Sequence, residues 1–306
     1  MDMKKLCSIF FVLIAFCCGL RAQETYPYVE RDSTLHLDIY RSENPNGYTI
    51  VHIFGGGFVV GSRAGQMDTA YCRQLTDKGY TAVPIDYRLG LRGVSKVGVS
   101  NYKALENAFY LAVEDCSAAV AYLVSHAAEL NIDPQKIILE GYSAGAITAL
   151  MTDYGRCNNL PCTKALPEGW RPAGVIAYSG AIYSKDGKLK WGTGNDKPAP
   201  TLLFHGTVDK IVPYKGITLC KLGLFGSDEI AKRLEKFNFP CCIYRCADLG
   251  HEVAGSGPMT VDYLDFFVKM YVIEAQPLHT DITIRHDDIR PSAYTKKTVR
   301  QLYSGH

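Results

Sequence analysis

The sequence has almost no net charge and no long run of charges of one sign. Its 33 lysines and arginines nearly balance 31 aspartates and glutamates, which leaves a formal charge of +2 over 306 residues. Nucleic acids and anionic membrane surfaces attract basic patches, and this sequence offers none. Repeats and low-complexity tracts are also missing. With 47% hydrophobic residues, the composition instead fits a globular protein with a buried core.

The eleven cysteines lack the spacing of a zinc site, because no two of them form a C-x2-C pair. Nothing else in the sequence indicates a metal ion or an organic cofactor. We therefore expect the chemistry of this protein to depend on its side chains and backbone alone.

A sustained apolar run occurs at the N-terminus, where residues 6–20 follow two lysines. The run is short for a membrane-spanning helix, which needs about 20 residues. The small Ala22 ends the segment, so the pattern predicts a cleaved signal peptide over residues 1–22 and a secreted or periplasmic protein. A lipid anchor on Cys17 or Cys18 is a second interpretation. No transmembrane segment is predicted in the mature chain.

Export makes disulfides possible, because eight cysteines remain after the signal peptide is removed. They are Cys72, Cys116, Cys157, Cys162, Cys220, Cys241, Cys242 and Cys246. Cys157 and Cys162 flank a short loop and form the first predicted pair. Cys220 with one cysteine of residues 241–246 forms the second.

Predicted strands alternate with predicted helices along the mature chain. Apolar runs predict strands at 35–41, 48–54, 80–88, 136–142, 174–180, 200–206 and 241–248. Helical periodicity predicts helices at 65–79, 104–130, 144–153, 227–238 and 258–274. This alternation is typical of an α/β protein with a mostly parallel central sheet, here of about eight strands, flanked by helices. We predict one domain over residues 23–275 and a polar tail over 276–306.

Ser143 stands in the segment GYSAG, between a predicted strand and a predicted helix. A Gly-x-Ser-x-Gly segment is short enough to arise by chance, so its context decides its meaning. A sharp strand-to-helix turn presents a serine hydroxyl above the sheet and needs small neighbours. Gly141, Ala144 and Gly145 meet that need. The context therefore predicts a nucleophile rather than a structural turn serine.

A serine nucleophile requires a base and a group that orients the base. Asp209 in HGTVDKIVP and His251 in DLGHEV each follow a predicted strand. Open parallel sheets hold their sites at the carboxyl ends of the strands, so these side chains are expected to meet Ser143 there.

Several other residues compete for these roles. The competing carboxylates, which follow a strand less directly, are Asp186, Asp196 and Asp228. His205 competes with His251 as the base. The histidines inside predicted elements, which we interpret as structural, are His36, His52 and His126. Glu140, just before the turn, has no partner that the sequence identifies.

Taken in order, these stretches resemble the α/β-hydrolase superfamily, and within it the esterase and lipase group with a Gly-rich oxyanion loop. The matching stretches are FGGGF (54–58), IDYRL (85–89), VEDCSAAVAYL (113–123), NIDPQKIILEGYSAGA (131–146), LLFHGTVDKIVP (202–213) and GHE (250–252). They extend over most of the mature chain, and their order and spacing are more specific than any one of them.

The resemblance implies a catalytic triad of Ser143, His251 and Asp209, with His205 structural. It places the oxyanion hole at backbone amides, and the implied donors are Gly56, Gly57 and Ala144. The family usually has a histidine before the three glycines, where it braces the loop. Phe54 occupies that position here, so the rigidity of the loop is in question.

The implied reaction is ester hydrolysis through an acyl-enzyme, without a metal or an organic cofactor. Residues 89–103 and 180–199 are expected to overhang the site as loops and to set specificity. No large helical lid is visible, which favours short-chain or carbohydrate-linked esters, with acetyl or feruloyl groups. The alternatives are a serine exopeptidase similar to prolyl oligopeptidase and a non-catalytic binding protein.

Overall fold

The computed structural model describes residues 23–94, 101–191, 196–219 and 222–285. The predicted signal peptide, Cys220 and tail residues 286–306 lie outside the described residues. The strands are β1 Glu24–Glu30, β2 Thr34–Ile39, β3 Thr49–Ile53, β4 Thr81–Ile85, β5 Ile137–Tyr142, β6 Gly174–Tyr178, β7 Ala181–Ser184, β8 Thr201–Gly206, β9 Gly216–Leu219, β10 Leu222–Gly226, β11 Cys241–Cys246 and β12 His279–Ile284. The α-helices are α1 Gln66–Asp77, α2 Tyr102–Ser125, α3 Ala127–Leu130, α4 Ala144–Cys157, α5 Ser227–Lys236 and α6 Gly257–Phe267.

A nine-stranded sheet forms the centre of the protein, in the order β1-β2-β4-β3-β5-β6-β8-β11-β12. The strands from β4 to β12 in this order run parallel, whereas β1 and β2 are antiparallel to their neighbours. The prediction of an α/β fold with a mostly parallel sheet is confirmed. A second, three-stranded sheet has the order β7-β10-β9.

Helices cover both faces of the large sheet because its strands bury side chains on both sides. On β3, Ile50 points to one face, and Val51 and Ile53 point to the other. The first face carries α1 and α6, and the second carries α2, α4 and α5. By length and composition α2 would suffice to cross a membrane, but 56% of its most apolar window is buried in the fold, as in the core helix of a globular domain.

Five strands were not predicted from the sequence, among them two in regions assigned to a loop and to the tail. Residues 181–184, predicted as loop, form β7 and pair with β10. Residues 279–284, predicted as tail, form β12, which pairs parallel with β11 from Cys241 opposite His279 to Cys246 opposite Ile284. β12 lies at the edge of the large sheet and only one of its six residues is buried, so its sequence lacks the continuous apolar pattern of the central strands.

The predicted Cys157–Cys162 disulfide is not formed, and the seven cysteines in the described ranges are all free and buried. Cys157 ends α4, where its Sγ accepts a hydrogen bond from the Arg156 guanidinium at 3.1 Å. Cys162 instead packs into the hydrophobic core next to α2 and α4. The cysteines of β11 are likewise free thiols, and the prediction involving Cys220 falls on a residue that the structure does not describe.

Candidate active site

Ser143 occupies the sharp turn between β5 and α4, with φ 51° and ψ −111°. Positive φ is unfavourable for a residue with a side chain, and the surrounding structure must hold it. The chain packs closely here: a Cβ at Gly145 would lie 1.8 Å from the carbonyl oxygen of Ile53. A Cβ at Gly141 would lie 2.4 Å from the carbonyl carbon of Gly145. Both glycines are therefore required for the turn that presents the serine hydroxyl.

The three side chains predicted to work together are in contact. Ser143 Oγ lies 2.8 Å from His251 Nε2, and His251 Nδ1 lies 2.8 Å from Asp209 Oδ2. His251 begins a short 3-10 helix after β11, and Asp209 follows β8. The chain is therefore folded so that three residues from three strand ends form one hydrogen-bonded series.

The Asp209 carboxylate is held on both of its oxygens. Oδ1 accepts hydrogen bonds from the backbone amides of Ile211 at 2.8 Å and Val212 at 3.1 Å. Burial alone would raise the pKa of this group, but hydrogen bonds from His205 and His251 outweigh burial and hold the pKa well below its usual range. Asp209 is therefore ionised at neutral pH and fixes the proton of His251 on Nδ1.

The glycine loop lies beside the serine, and its backbone conformation requires glycine. Gly56 has φ +106°, and a Cβ there would lie 1.9 Å from the carbonyl oxygen of Val60. Gly56 and Gly57 line the same cavity as Ser143. Ala144, the first residue of α4, follows the serine directly. The three residues predicted to supply amide donors thus either line the cavity of Ser143 or follow it directly in the chain.

Phe54, which stands where the family usually has a histidine, is braced by Tyr87. The two rings stack with centroids 4.4 Å apart. The Tyr87 hydroxyl also donates to the Phe54 carbonyl at 2.9 Å and lies 3.3 Å from the Gly55 carbonyl oxygen. An aromatic pair and one hydroxyl therefore hold the start of the glycine loop.

The cavity next to Ser143 has a volume of about 180 Å³. Its described lining consists of Phe54, Gly55, Gly56, Gly57, Val60, Gly61, Met67, Asp68, Tyr142, Ser143, Ile211, His251, Ala254, Gly255 and Pro258. Pockets that enclose drug-sized ligands measure about 300–1,000 Å³, so this one suits a short group. Trp191 is not among these lining residues, and its ring contacts that of Tyr154 edge-on with centroids 5.9 Å apart.

The competing residues have other partners. His205 is fully buried and its Nδ1 lies 2.8 Å from Ser227 Oγ. Each competing carboxylate pairs with cations outside the triad: Asp186 with Lys190, Asp196 with Arg156, and Asp228 with Lys232 and Arg245. Within the described ranges, no group of three or more His, Cys, Asp or Glu side chains is arranged to hold a metal ion.

The sequence analysis missed one polar group at the site. His52 Nδ1 lies 2.6 Å from Glu140 Oε2, and His52 Nε2 lies 2.8 Å from Asp68 Oδ1, on the cavity wall. Burial disfavours the protonated imidazole, but the two carboxylates outweigh burial and raise the pKa of His52 to about 10. The three residues come from β3, β5 and α1, and no local sequence pattern links them.

Comparison with known proteins finds two matching family models. The model described as BD-FAE matches residues 37–160, and the one described as Phospholipase/Carboxylesterase matches residues 100–222. Both matches include Ser143, and the second also includes Asp209. His251 lies beyond both.

Curated relatives match over part of their length. An arylesterase of Saccharolobus solfataricus is 31% identical over 139 residues, which is 44% of this chain and 40% of the relative. Gut esterase 1 of Caenorhabditis elegans is 30% identical over 107 residues, or 34% of this chain and 18% of the relative. The chain thus spans less than half of the length of these relatives.

Among solved structures, esterase 2 of Thermogutta terrifontis phosphoramylated by tabun has a TM-score of 0.59 and 23% identity, covering 85% of this chain and 97% of that one. The propionate-bound form of the same esterase has a TM-score of 0.59 and 23% identity, covering 84% and 96%. At this level of identity the likeness concerns the fold. Together with the two family matches and the esterase relatives, it supports an α/β-hydrolase fold of the esterase and lipase type for this chain.

Proposed function

We propose that this protein is a serine hydrolase of carboxylic esters that works through an acyl-enzyme. The observation that carries the proposal is the continuous series of hydrogen bonds from Asp209 through His251 to Ser143, each 2.8 Å long. A serine hydroxyl is a weak nucleophile by itself, and an oriented imidazole within hydrogen-bond distance activates it.

In the proposed reaction, Ser143 Oγ attacks the ester carbonyl carbon while its proton moves to His251 Nε2. The carbonyl oxygen becomes an oxyanion, which the amides of Gly56, Gly57 and Ala144 stabilise. The C–O bond to the alcohol then breaks, and His251 returns the proton to the departing oxygen. A water molecule repeats both steps on the acyl-enzyme, which releases the acid and restores Ser143.

The substrates that we propose are short-chain esters and acyl groups carried on carbohydrates, such as acetyl. The small volume of the cavity, about 180 Å³, favours a short acyl group over a bulky one such as feruloyl. The related fold of Thermogutta terrifontis esterase 2 has been solved with propionate and with butyrate bound. These complexes concern that esterase, and they make esters of short acids the first substrates to test.

The decisive experiment compares the protein with its Ser143→Ala variant on p-nitrophenyl acetate and butyrate. We expect the variant to lose about four orders of magnitude or more in kcat, with a nearly unchanged Tm. Ser125→Ala is the matched control, because Ser125 is an exposed serine at the end of α2. A Ser143→Ala variant with full turnover would refute the proposal.

An amino-acyl p-nitroanilide in the same assay tests the peptidase alternative. Turnover of the anilide that exceeds turnover of the esters, and that depends on Ser143, would assign the site to peptide bonds. Acetylated and feruloylated glycans, assayed next for released acid, would identify the acyl group and its alcohol.

We also propose that the protein is exported, on the basis of the basic start and apolar run of residues 1–22. Expression of the full chain followed by N-terminal sequencing tests this. A mature protein that begins at Gln23 is the expected result, and a cytoplasmic protein that retains residues 1–22 would contradict it.

A further inference from the structure

The cavity beside Ser143 contains a carboxylate that the proposed mechanism does not use. Asp68 lies in the first turn of α1 and its side chain is 18% exposed. Among the described lining residues it alone is acidic, and most of the others are glycine or apolar. A charged group in such a wall is costly unless other groups hold it, which makes its surroundings informative.

A buried ion pair fixes one oxygen of Asp68. His52 and Glu140 are fully buried, and the His52 ring joins Glu140 Oε2 to Asp68 Oδ1. Because His52 is protonated at neutral pH, both of its nitrogens donate, one to each carboxylate. The Asp68 carboxylate is therefore oriented from within the protein rather than by solvent.

The second oxygen of Asp68 remains as an acceptor, since no described residue donates a hydrogen bond to Oδ2. Its position depends on Gly65, because a Cβ at that residue would lie 2.5 Å from Oδ2. The backbone of Gly65, with φ −57°, would accept a side chain without strain. A Cβ at Gly65 would thus press on the end of the Asp68 side chain, and the carboxylate would have to move to make room for it.

We propose that Asp68 Oδ2 accepts a hydrogen bond from a hydroxyl group of the substrate, so that the site selects hydroxylated esters. This inference rests on the proposed esterase function. A neutral hydroxyl needs only one acceptor, and Asp68 is the single acidic residue in the described lining. Because one imidazolium faces two carboxylates, the group keeps a net negative charge, so a cationic substrate group is the alternative that the test includes. A site built to bond a hydroxyl discriminates against the analogue that lacks it, because the acceptor is then left unpaired.

The test measures kcat/KM on two pairs of esters that differ in hydroxyl groups. In the first pair, propyl butyrate and 2,3-dihydroxypropyl butyrate, the hydroxyls are on the alcohol. In the second, p-nitrophenyl butyrate and p-nitrophenyl 3-hydroxybutyrate, the hydroxyl is on the acid. We expect the protein to prefer the hydroxylated member of at least one pair, and the affected pair identifies the part of the substrate that lies at Asp68.

The Asp68→Asn variant isolates the proposed contact. Its amide oxygen still accepts from His52, whereas the amide nitrogen replaces the Oδ2 acceptor with a donor. We expect the preference, taken as the ratio of kcat/KM for the hydroxylated ester to kcat/KM for the unhydroxylated one, to fall about tenfold or more, as for a lost hydrogen bond to a charged group. Gly65→Ala should cause the same selective loss by displacing the carboxylate.

Asp262→Asn is the matched control, because this carboxylate is 81% exposed on α6 and its loss changes the charge equally. Asp262→Asn should leave the preference unchanged in both ester pairs, and Tm values verify that each variant folds.

A preference for the hydroxylated ester that Asp68→Asn and Gly65→Ala both leave intact would overturn the inference. So would an Asp68-dependent preference for butyrylcholine over both hydroxylated esters, which would indicate a cation subsite. In both of these outcomes ester turnover continues. Absence of turnover on every ester would instead refute the proposed function itself and this inference with it.

Discussion

His205 Nε2 lies 3.3 Å from Asp209 Oδ2, the same carboxylate oxygen that accepts from His251. Asp209 thus has two imidazole neighbours, and hydrogen bonds from both depress its pKa. His205 takes no part in the proposed proton transfer, so its contribution is to the charge and position of Asp209.

A His205→Phe variant should lose stability in a pH-dependent way. The folded pKa of Asp209 is depressed, so its stabilising contribution is present above the unfolded pKa of about 3.9 and is lost as pH falls through the lower folded value. We expect the variant to lose about 1.5–3 kcal/mol of unfolding free energy at pH 7, the range for a hydrogen bond to a charged group. Urea unfolding from pH 7 down to about pH 2 should show a constant difference near neutral pH that narrows in acid, as pH falls towards the depressed folded pKa of Asp209.

The matched control for this prediction is Ser227→Ala, which removes the hydrogen-bond partner of His205 Nδ1 and leaves Nε2 beside Asp209. Ser227→Ala should lose less unfolding free energy than His205→Phe, and its loss should be nearly the same at every pH. A His205→Phe deficit that stays constant down to about pH 2 would show that the charge of Asp209 does not depend on this neighbour.

The positive φ of Ser143 predicts that this residue, the proposed nucleophile, lowers the stability of the fold. Two variants, Ser143→Gly and Ser143→Ala, both remove the hydroxyl, but only glycine adopts φ 51° without a steric penalty. We expect Ser143→Gly to be about 1 kcal/mol more stable than Ser143→Ala, since strain of 1–3 kcal/mol is relieved and part is offset by the entropy of an unfolded glycine. Chemical denaturation of the two inactive proteins gives the difference directly. Equal stability would mean that the turn stores no strain at this residue.

The sequence predicted the central strands because these strands are buried on both faces. All five residues of β3 and of β6 are buried, and their continuous apolar runs are correspondingly clear. Two of the missed strands differ in this respect: β9 is exposed at all four positions, and β12 is buried at one of six. Pairing with a neighbour, rather than a pattern of its own, determines that such a segment is a strand.

The site residues divide in the same way, into those with a local sequence pattern and those defined only by tertiary contacts. Ser143, Asp209 and His251 each follow a buried strand in a short recognisable stretch, so the sequence could nominate them one at a time. The contacts of His52 with Glu140 and Asp68 join three separate elements. Their roles depend on tertiary packing, which a single sequence does not encode in any local window.

Tyr87 holds the start of the glycine loop, so removing its hydroxyl should lower activity as well as stability. Tyr87→Phe keeps the ring stacked on Phe54 but removes the hydroxyl that bonds the Phe54 and Gly55 carbonyls. Because the amides of Gly56 and Gly57 follow directly, a loosened loop should stabilise the oxyanion less well. We expect kcat on p-nitrophenyl acetate to fall about tenfold with little change in KM, which is less than the effect of losing one donor outright.

Tyr28→Phe is the control that separates these effects, since the Tyr28 hydroxyl also donates to a backbone carbonyl, that of Asp86, away from the cavity lining. Both variants should lose about 1 kcal/mol of unfolding free energy, the usual value for one hydrogen bond. Only Tyr87→Phe should lose turnover, because only its hydroxyl holds the segment that leads to the oxyanion donors. If the two variants retain the same kcat, the stacked pair of Phe54 and Tyr87 is sufficient to hold the loop, and the hydroxyl contributes to stability alone.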